Sequence, residues 1–160
     1  MLAIVAARVS VRLDEAEIWE FLERGHTGIL TSLRRDGTPV ALPVWYAVLD
    51  RAVYVNGPER TKKWKRIERD PRVSFLVEEG EAWRELQAVH LNGRAEFVED
   101  ADLLGRVGDL LDAKYAAFRT ARTAMPKASR QHYGSGVRTI RLAPEGRVLS
   151  WNNAKLPLSS

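Results

Sequence analysis

The chain contains no cysteine, which excludes disulfides, thiol catalysis, iron–sulfur clusters and thiolate zinc sites together. Such a chain suits a reducing compartment, and a cytoplasmic location is the expectation. No run approaches the roughly 18–20 apolar residues of a membrane span, so no membrane partner is expected. The stretch Met1 to Val9 is apolar but short, lacks a basic leader and is interrupted by Arg8. It reads as ordered or frayed protein rather than an export signal. Only three histidines occur, His26, His90 and His132, and none has metal-ligand spacing. A G-x-S-x-G elbow, a Walker loop and a dinucleotide fingerprint are all missing. If the protein is an enzyme, a bound cofactor carries the chemistry.

What remains is an ordinary globular composition, 45% apolar and 29% charged over 160 residues. That length suits a single domain spanning residues 1–160, which would bury roughly two-thirds of its unfolded surface. Basic residues number 25 and acidic residues 21, a formal charge of +4. The balance favours anionic partners, but the field is modest.

The pattern along the chain predicts a helix over Glu15–Arg24, capped by Asp14 with Glu17 completing a capping box. Leu13 and Ile18 stand at staple positions, Ile18, Phe21 and Leu22 form the buried stripe, and Gly25 supplies the stop. Strands follow at Thr27–Leu33 and Val40–Leu49, joined through the hairpin signal Asp36-Gly37. A turn at Asp50-Arg51 leads to a strand over Ala52–Asn56. After the Gly57-Pro58 break, a short helix runs from Thr61 to Arg69 and stops before Pro71. Further strands are expected at Val73–Val77 and Gln87–Val98, with Gly93 a bulge or a point of close approach. A long helix capped by Asp100 spans Ala101–Ala124, a loop passes Gly134 and Gly136, and strands Val137–Leu142 and Arg147–Trp151 close the chain. Hairpin-linked strands pair antiparallel, and curling them into a barrel removes exposed edges. The expected class is mainly β with peripheral helices (α+β), a small antiparallel barrel.

One constellation stands out, Asn56-Gly-Pro-Glu-Arg60-Thr61-Lys62-Lys63-Trp64-Lys65-Arg66. Thr61 falls at the N-cap of a basic helix, where free amides and the helix dipole favour an anion. Lys62 and Lys63 in the first turn oppose that dipole, at ~0.3–1 kcal/mol each when exposed, unless an anion offsets them. Three readings fit: a solvated basic face with Trp64 and Ile67 packed inward, a small-molecule phosphate site, or a nucleic-acid contact. The neighbouring segment Leu42-Pro43-Val44-Trp45-Tyr46-Ala47-Val48 is apolar on both faces, as a pocket wall or buried interface is. The strand through Tyr54, Val55 and Asn56 feeds into the basic helix. An aromatic wall beside a phosphate cradle suits a planar ring carrying a phosphate tail. For Trp45 and Tyr54, core or dimer packing is an equal alternative.

These residues resemble the pyridoxamine-phosphate-oxidase-like family of FMN-binding split β-barrel proteins. The likeness runs through DEAEIWEFLERG, TGILTSLRRDGTPVALPVWY, AVYVN, ERTKKWKRIERDPRVSFLV, LQAVHLNGRAEFVED and RTIRLAPEGRVLSW, which is most of the chain. The block from Thr61 through Asp70-Pro71-Arg72-Val73-Ser74 is the most specific. The resemblance implies a split antiparallel β-barrel, with Lys62 and Lys63 holding a cofactor phosphate beside the Thr61 N-cap. It also implies that the backbone of Leu42–Ala47 and Tyr54–Asn56 lies against the cofactor ring. Members are usually homodimers with cofactor at the interface, so Trp151 is expected to reach across from the partner subunit.

The chain also departs from the vitamin oxidases it resembles. Leu42 stands where they have Arg, Ala47 where they have Lys and Ala88 where they have Gln, and their closing Arg-x-His motif is missing. The groups that recognise a vitamin phosphate are therefore absent. The pattern looks closer to the branch that includes users of the deazaflavin coenzyme F-420, with FMN users beside it and heme-binding relatives further off. The expected function is a flavin- or deazaflavin-dependent oxidoreductase, transferring a hydride between FMN or coenzyme F-420 and a small organic substrate. No side chain stands out as a protein acid or base. A non-catalytic flavin carrier or sensor is the alternative, with nucleic-acid binding by the basic 60–69 helix a less favoured one. The loop carrying Lys127, Arg130, His132 and Tyr133 is expected to border substrate.

Overall fold

The computed structural model describes residues 10–158. The reading of Met1 to Val9 as ordinary chain lies outside those residues. The first helix, α1 (Glu15–Arg24), forms as its caps dictate. Asp14 accepts from the Glu17 amide at 2.9 Å, and Glu17 accepts from the Asp14 amide at 2.7 Å. Phe21 and Leu22 are buried, and Leu13 and Ile18 pack against the same core.

Eight strands follow among the described residues: β1 (Gly28–Leu33), β2 (Pro39–Val44), β3 (Ala47–Leu49), β4 (Ala52–Pro58), β5 (Arg72–Glu79), β6 (Gln87–Phe97), β7 (Val137–Leu142) and β8 (Leu149–Asn152). All their pairings are antiparallel, in the order β2-β1-β5-β6-β7-β4-β3, with β8 on β6. The strand β6 serves two sheets, because its first residues pair with β8 and its last with β7. Gly93 marks that changeover. It pairs in register with Val73, so there is no bulge. A Cβ there would collide with the Ala143 carbonyl oxygen and lie 2.7 Å from Leu142 Cδ1. The close approach was the correct half of that expectation.

The curled sheet is a split barrel with peripheral helices, and its interior is the main core. Leu30, Val44, Val53, Val55, Phe75, Val77, Val89, Leu91, Ile140 and Leu142 fill it from the strands. Phe21 and Leu22 close one side, and Trp64 and Ile67 of α2 (Lys62–Arg69) close another. A second core lies outside the barrel, where α3 (Ala101–Tyr115) lays Val107, Leu111 and Tyr115 over Ala47, Ala52 and Tyr54. This explains why β4 is apolar on both faces, since Val53 and Val55 point inward while Ala52 and Tyr54 lie under the helix.

Three local expectations are corrected. Val40–Leu49 is not one strand: the chain leaves β2 after Val44, turns through Trp45 and Tyr46, and resumes as β3. The turn that returns it as β4 puts Asp50 at φ 49 and Arg51 at φ 55, the left-handed pair that a two-residue hairpin needs. The long helix stops at Tyr115 rather than Ala124, with two single 3₁₀ turns beyond it. The expected loop after Pro126 contains a helix, α4 (Lys127–Tyr133).

Candidate cofactor-phosphate site

Helix α2 is built to dock on one side and stay charged on the other. Trp64 and Ile67 enter the core, and Trp64 Nε1 donates to the Pro58 carbonyl at 2.8 Å. Arg66 Nε donates to the buried Ser32 hydroxyl at 2.9 Å, and Arg69 to the Leu33 carbonyl at 2.6 Å. At the exit, the Asp70 carboxylate accepts from the Arg72 guanidinium and amide, which hold its pKa down at about 2. The Asp-Pro-Arg sequence is thus the hinge that turns α2 into β5.

The opposite end is unsatisfied. Thr61 stands at the N-cap without making a cap bond, and its buried hydroxyl has no hydrogen-bond partner. No acidic residue lies in the first turn. Among the described residues, Lys62, Lys63, Lys65, Arg66 and Arg69 form no ion pair, whereas Glu68 pairs with Arg138. Arg34, from the β1–β2 hairpin, adds a further charge beside Arg66 and helps depress its pKa after burial. Lys62 and Lys63, uncompensated at the dipole's positive end, are what an anion would relieve, whereas Arg66 and Arg69 stand in the last turn, where the dipole favours them.

The two lysines differ in exposure. Lys62 is exposed and, with Arg60, Thr61 and Lys65, lines an open depression of about 640 Å³ that also meets Glu59 and Glu68. Lys63 folds back against the end of β4. Its ammonium lies 4.4 Å from the centre of the Trp64 ring, and a Cβ on Gly57 would stand 2.9 Å from it. Burial, assisted by Arg66, lowers its pKa to about 8. A phosphate ester fits this donor set, since the orphaned hydroxyl, two ammonium groups and uncapped first-turn amides all serve an anion.

The other residues singled out in the sequence are distributed as follows. Leu42 and Pro43 are exposed on β2, whose outer edge carries no partner strand among the described residues. Val44, Tyr46, Tyr54 and Val55 are buried in the two cores, so any ligand contact they make is through backbone. Trp45 is half-buried and stacks on Tyr115, ring centres 4.5 Å apart and planes 4° from parallel. Asn56 precedes Gly57 on β4 and pairs with Thr139. Trp151 is exposed on β8, paired with Ala88. Seven residues of β6, roughly 23 Å of strand, separate that pairing from Ala95, which β7 engages on the way to β4. Thr61 and Lys63 thus stand together at the start of α2, with Lys63 against Gly57 of β4, while Trp151 lies on β8, paired with the other end of β6. Ala47 and Ala88 are both buried, which leaves no room for the longer polar residues of the vitamin oxidases.

Ser32, Arg34, Lys114 and Tyr115 were not singled out in the sequence, and Arg66 stood there only as the last residue of the basic constellation. For Arg66 the signal was its place one turn after Lys62 and Lys63. For Lys114 it was the helical spacing after Val107 and Leu111, which sets a charge on an apolar stripe.

A curled antiparallel barrel with peripheral helices, one of them basic and uncapped, defines the class of split β-barrel proteins. The comparisons narrow it. The family described as pyridoxamine 5'-phosphate oxidase matches residues 14–146, and this chain belongs to it. The conserved hypothetical protein Rv2991 of Mycobacterium tuberculosis is 32% identical, with 97% of this chain and 96% of that one covered at a TM-score of 0.77. A FAD-binding protein of Mesorhizobium loti is 22% identical, covering 86% and 93% at a TM-score of 0.65. An F420 reductase is also 22% identical, covering 81% and 94% at a TM-score of 0.59. At that identity the last two share the fold alone. No curated protein matches the chain.

Proposed function

We propose that the protein is a flavin- or deazaflavin-dependent oxidoreductase that takes FMN or coenzyme F-420 and acts on a small organic substrate. The observation that carries the reading is the buried, unpartnered Thr61 hydroxyl at the head of a helix whose five basic side chains have no ionic partner. Thr61, Lys62 and Lys63 hold the phosphate. The backbone of Leu42–Ala47 and Tyr54–Asn56 forms the ring wall, and its apolar surroundings exclude water. When bound, the ring supplies the hydride chemistry. The protein's share is binding and orientation, consistent with the absence of an obvious acid or base.

The exposed apolar edge of β2 supports a homodimer in which the partner's surface closes the ring pocket. In that arrangement Trp151 serves the neighbouring subunit's cofactor, since β8 pairs with the other end of β6 from the one that leads through β7 to β4. A cytoplasmic location fits this chemistry, and no helix among the described residues is long and apolar enough to cross a membrane.

The deciding experiment is an absorbance spectrum of the purified protein, followed by titration with FMN and coenzyme F-420. Saturable binding of one of them, lost in the Lys62→Ala/Lys63→Ala variant, supports the assignment. Binding of neither overturns it. Reduction or reoxidation of the bound ring by candidate substrates then separates an oxidoreductase from a carrier or sensor.

A further inference from the structure

Lys114 is half-buried, with its ammonium enclosed, where its helix ought to present an apolar side chain. It follows Val107 and Leu111 on the face of α3 that covers the sheet. Its ammonium is enclosed, has no hydrogen-bond partner, and lies 3.9 Å from the centre of the Tyr46 ring and 5.5 Å from that of Tyr115. The π faces offset only part of what an ammonium loses on leaving water. A methionine would serve packing better, so stability does not account for the charge.

What the ammonium touches is the corner of the wall. Tyr46 is the residue at which the chain turns from β2 into β3. Its hydroxyl donates to the Leu22 carbonyl at 2.6 Å, and its amide donates to the Tyr115 hydroxyl at 3.1 Å. That hydroxyl donates in turn to the His26 carbonyl at 2.7 Å. The end of α1, the loop after it and the end of α3 therefore converge on one turn, with Trp45 stacked on Tyr115 beside it.

We propose that Lys114 is a positioning residue for the cofactor ring: its ammonium, seated on Tyr46, clamps the Trp45–Tyr46 corner in the shape the ring lies against. The inference rests on the ring wall assigned in the preceding section. Glu23 of α1 is the carboxylate that acts on Lys114, and Tyr115 flanks it on its own helix. Glu79 and Arg24 act on Tyr46 from the far side. Burial outweighs Glu23 and brings the Lys114 pKa down to about 8. Deprotonation removes the attraction to the Tyr46 face and loosens the corner.

The probe that isolates the wall is the phosphate-free riboside of whichever ring the wild-type protein binds, riboflavin or its deaza analogue. Inorganic phosphate reads the anion site separately. Lys114→Met is expected to melt at or above the wild-type temperature and to bind phosphate unchanged. It should bind the riboside at least about fivefold more weakly, roughly a 1 kcal/mol equivalent. Wild-type riboside affinity should fall between about pH 7 and 9.5 as Lys114 loses its proton. Lys114→Met should lack that fall, and Lys114→Arg should retain affinity at both ends. Equal riboside affinity and an unchanged pH profile in Lys114→Met overturn the proposal and leave the cofactor reading standing. A wild-type profile without the alkaline fall overturns it even if Lys114→Met does not fold. Failure of the wild type to bind any ring overturns both.

Discussion

Arg66 donates through Nε to the hydroxyl of Ser32 across 2.9 Å, and this bond fastens the basic helix to the first strand of the barrel. Ser32 is almost wholly buried, so the bond joins a charged donor to a neutral acceptor with little water to replace it. Ser32→Ala should lower stability by about 1.5–3 kcal/mol, the range for hydrogen bonds to charged groups. Urea unfolding measures it, and a loss below ~0.5 kcal/mol would show that the helix is held by Trp64 and Ile67 alone.

Stability and binding should part company at the helix start. Exposed Lys62 opposes the dipole by ~0.3–1 kcal/mol, while Lys63 also rests on the Trp64 ring, so Lys62→Ala/Lys63→Ala should leave the stability of the unliganded protein about where it was. The same variant should lose at least about tenfold in FMN or F-420 affinity, some 1.4 kcal/mol. Fluorescence titration beside thermal melting reads both. A salt-sensitive nucleic-acid complex abolished by this variant, with cofactor binding intact, would transfer the helix to the other reading.

Lys63 titrates near pH 8 because it is buried against Trp64 and faces Arg66. A bound anion stabilises the ammonium form and raises that pKa, so anion affinity is full below it and falls as pH climbs through it. Inorganic phosphate should therefore bind more weakly at about pH 9.5 than at pH 7, and Lys63→Arg should flatten the profile. Isothermal titration at the two pH values checks the sign.

Two glycines separate function from folding. A methyl on Gly57 would meet the flexible end of Lys63, at 2.9 Å from Nζ and 3.3 Å from Cε. Gly57→Ala should fold normally and weaken cofactor binding by displacing that ammonium. A methyl on Gly93 would meet the Ala143 carbonyl, which cannot step aside. Gly93→Ala should cost ~1–3 kcal/mol, the usual price of overpacking. Melting temperatures and cofactor titrations of the two variants should rank in opposite orders.

Much of this was legible along the chain, because its strongest signals are local. The Asp14–Glu17 box starts α1 where expected, and Asp36-Gly37 and Asp50-Arg51 turn the hairpins. The candidate anion site was readable for the same reason, since Thr61, Lys62 and Lys63 are consecutive residues at one helix end. Trp45 and Tyr46 were less so. Within an unbroken apolar run nothing marks a corner, and the break follows from the Tyr115 hydroxyl and Leu22 carbonyl, which come from distant segments. The segment after Tyr115 misled in the opposite way, because alanine and arginine favour helix whether or not a partner surface exists.

By itself the amino-acid order determined the antiparallel barrel class, the order of its elements and the position of the basic helix, through caps, turns and periodicity that act over a few residues. Only the tertiary structure decided which apolar side chains are buried in the two cores, that Lys114 lies against Tyr46, and that Trp151 sits on a strand paired with the other end of β6 from the one β7 engages. Those are distances between residues remote in sequence. They follow from how cores close and how a strand is shared between two sheets, which no local pattern encodes.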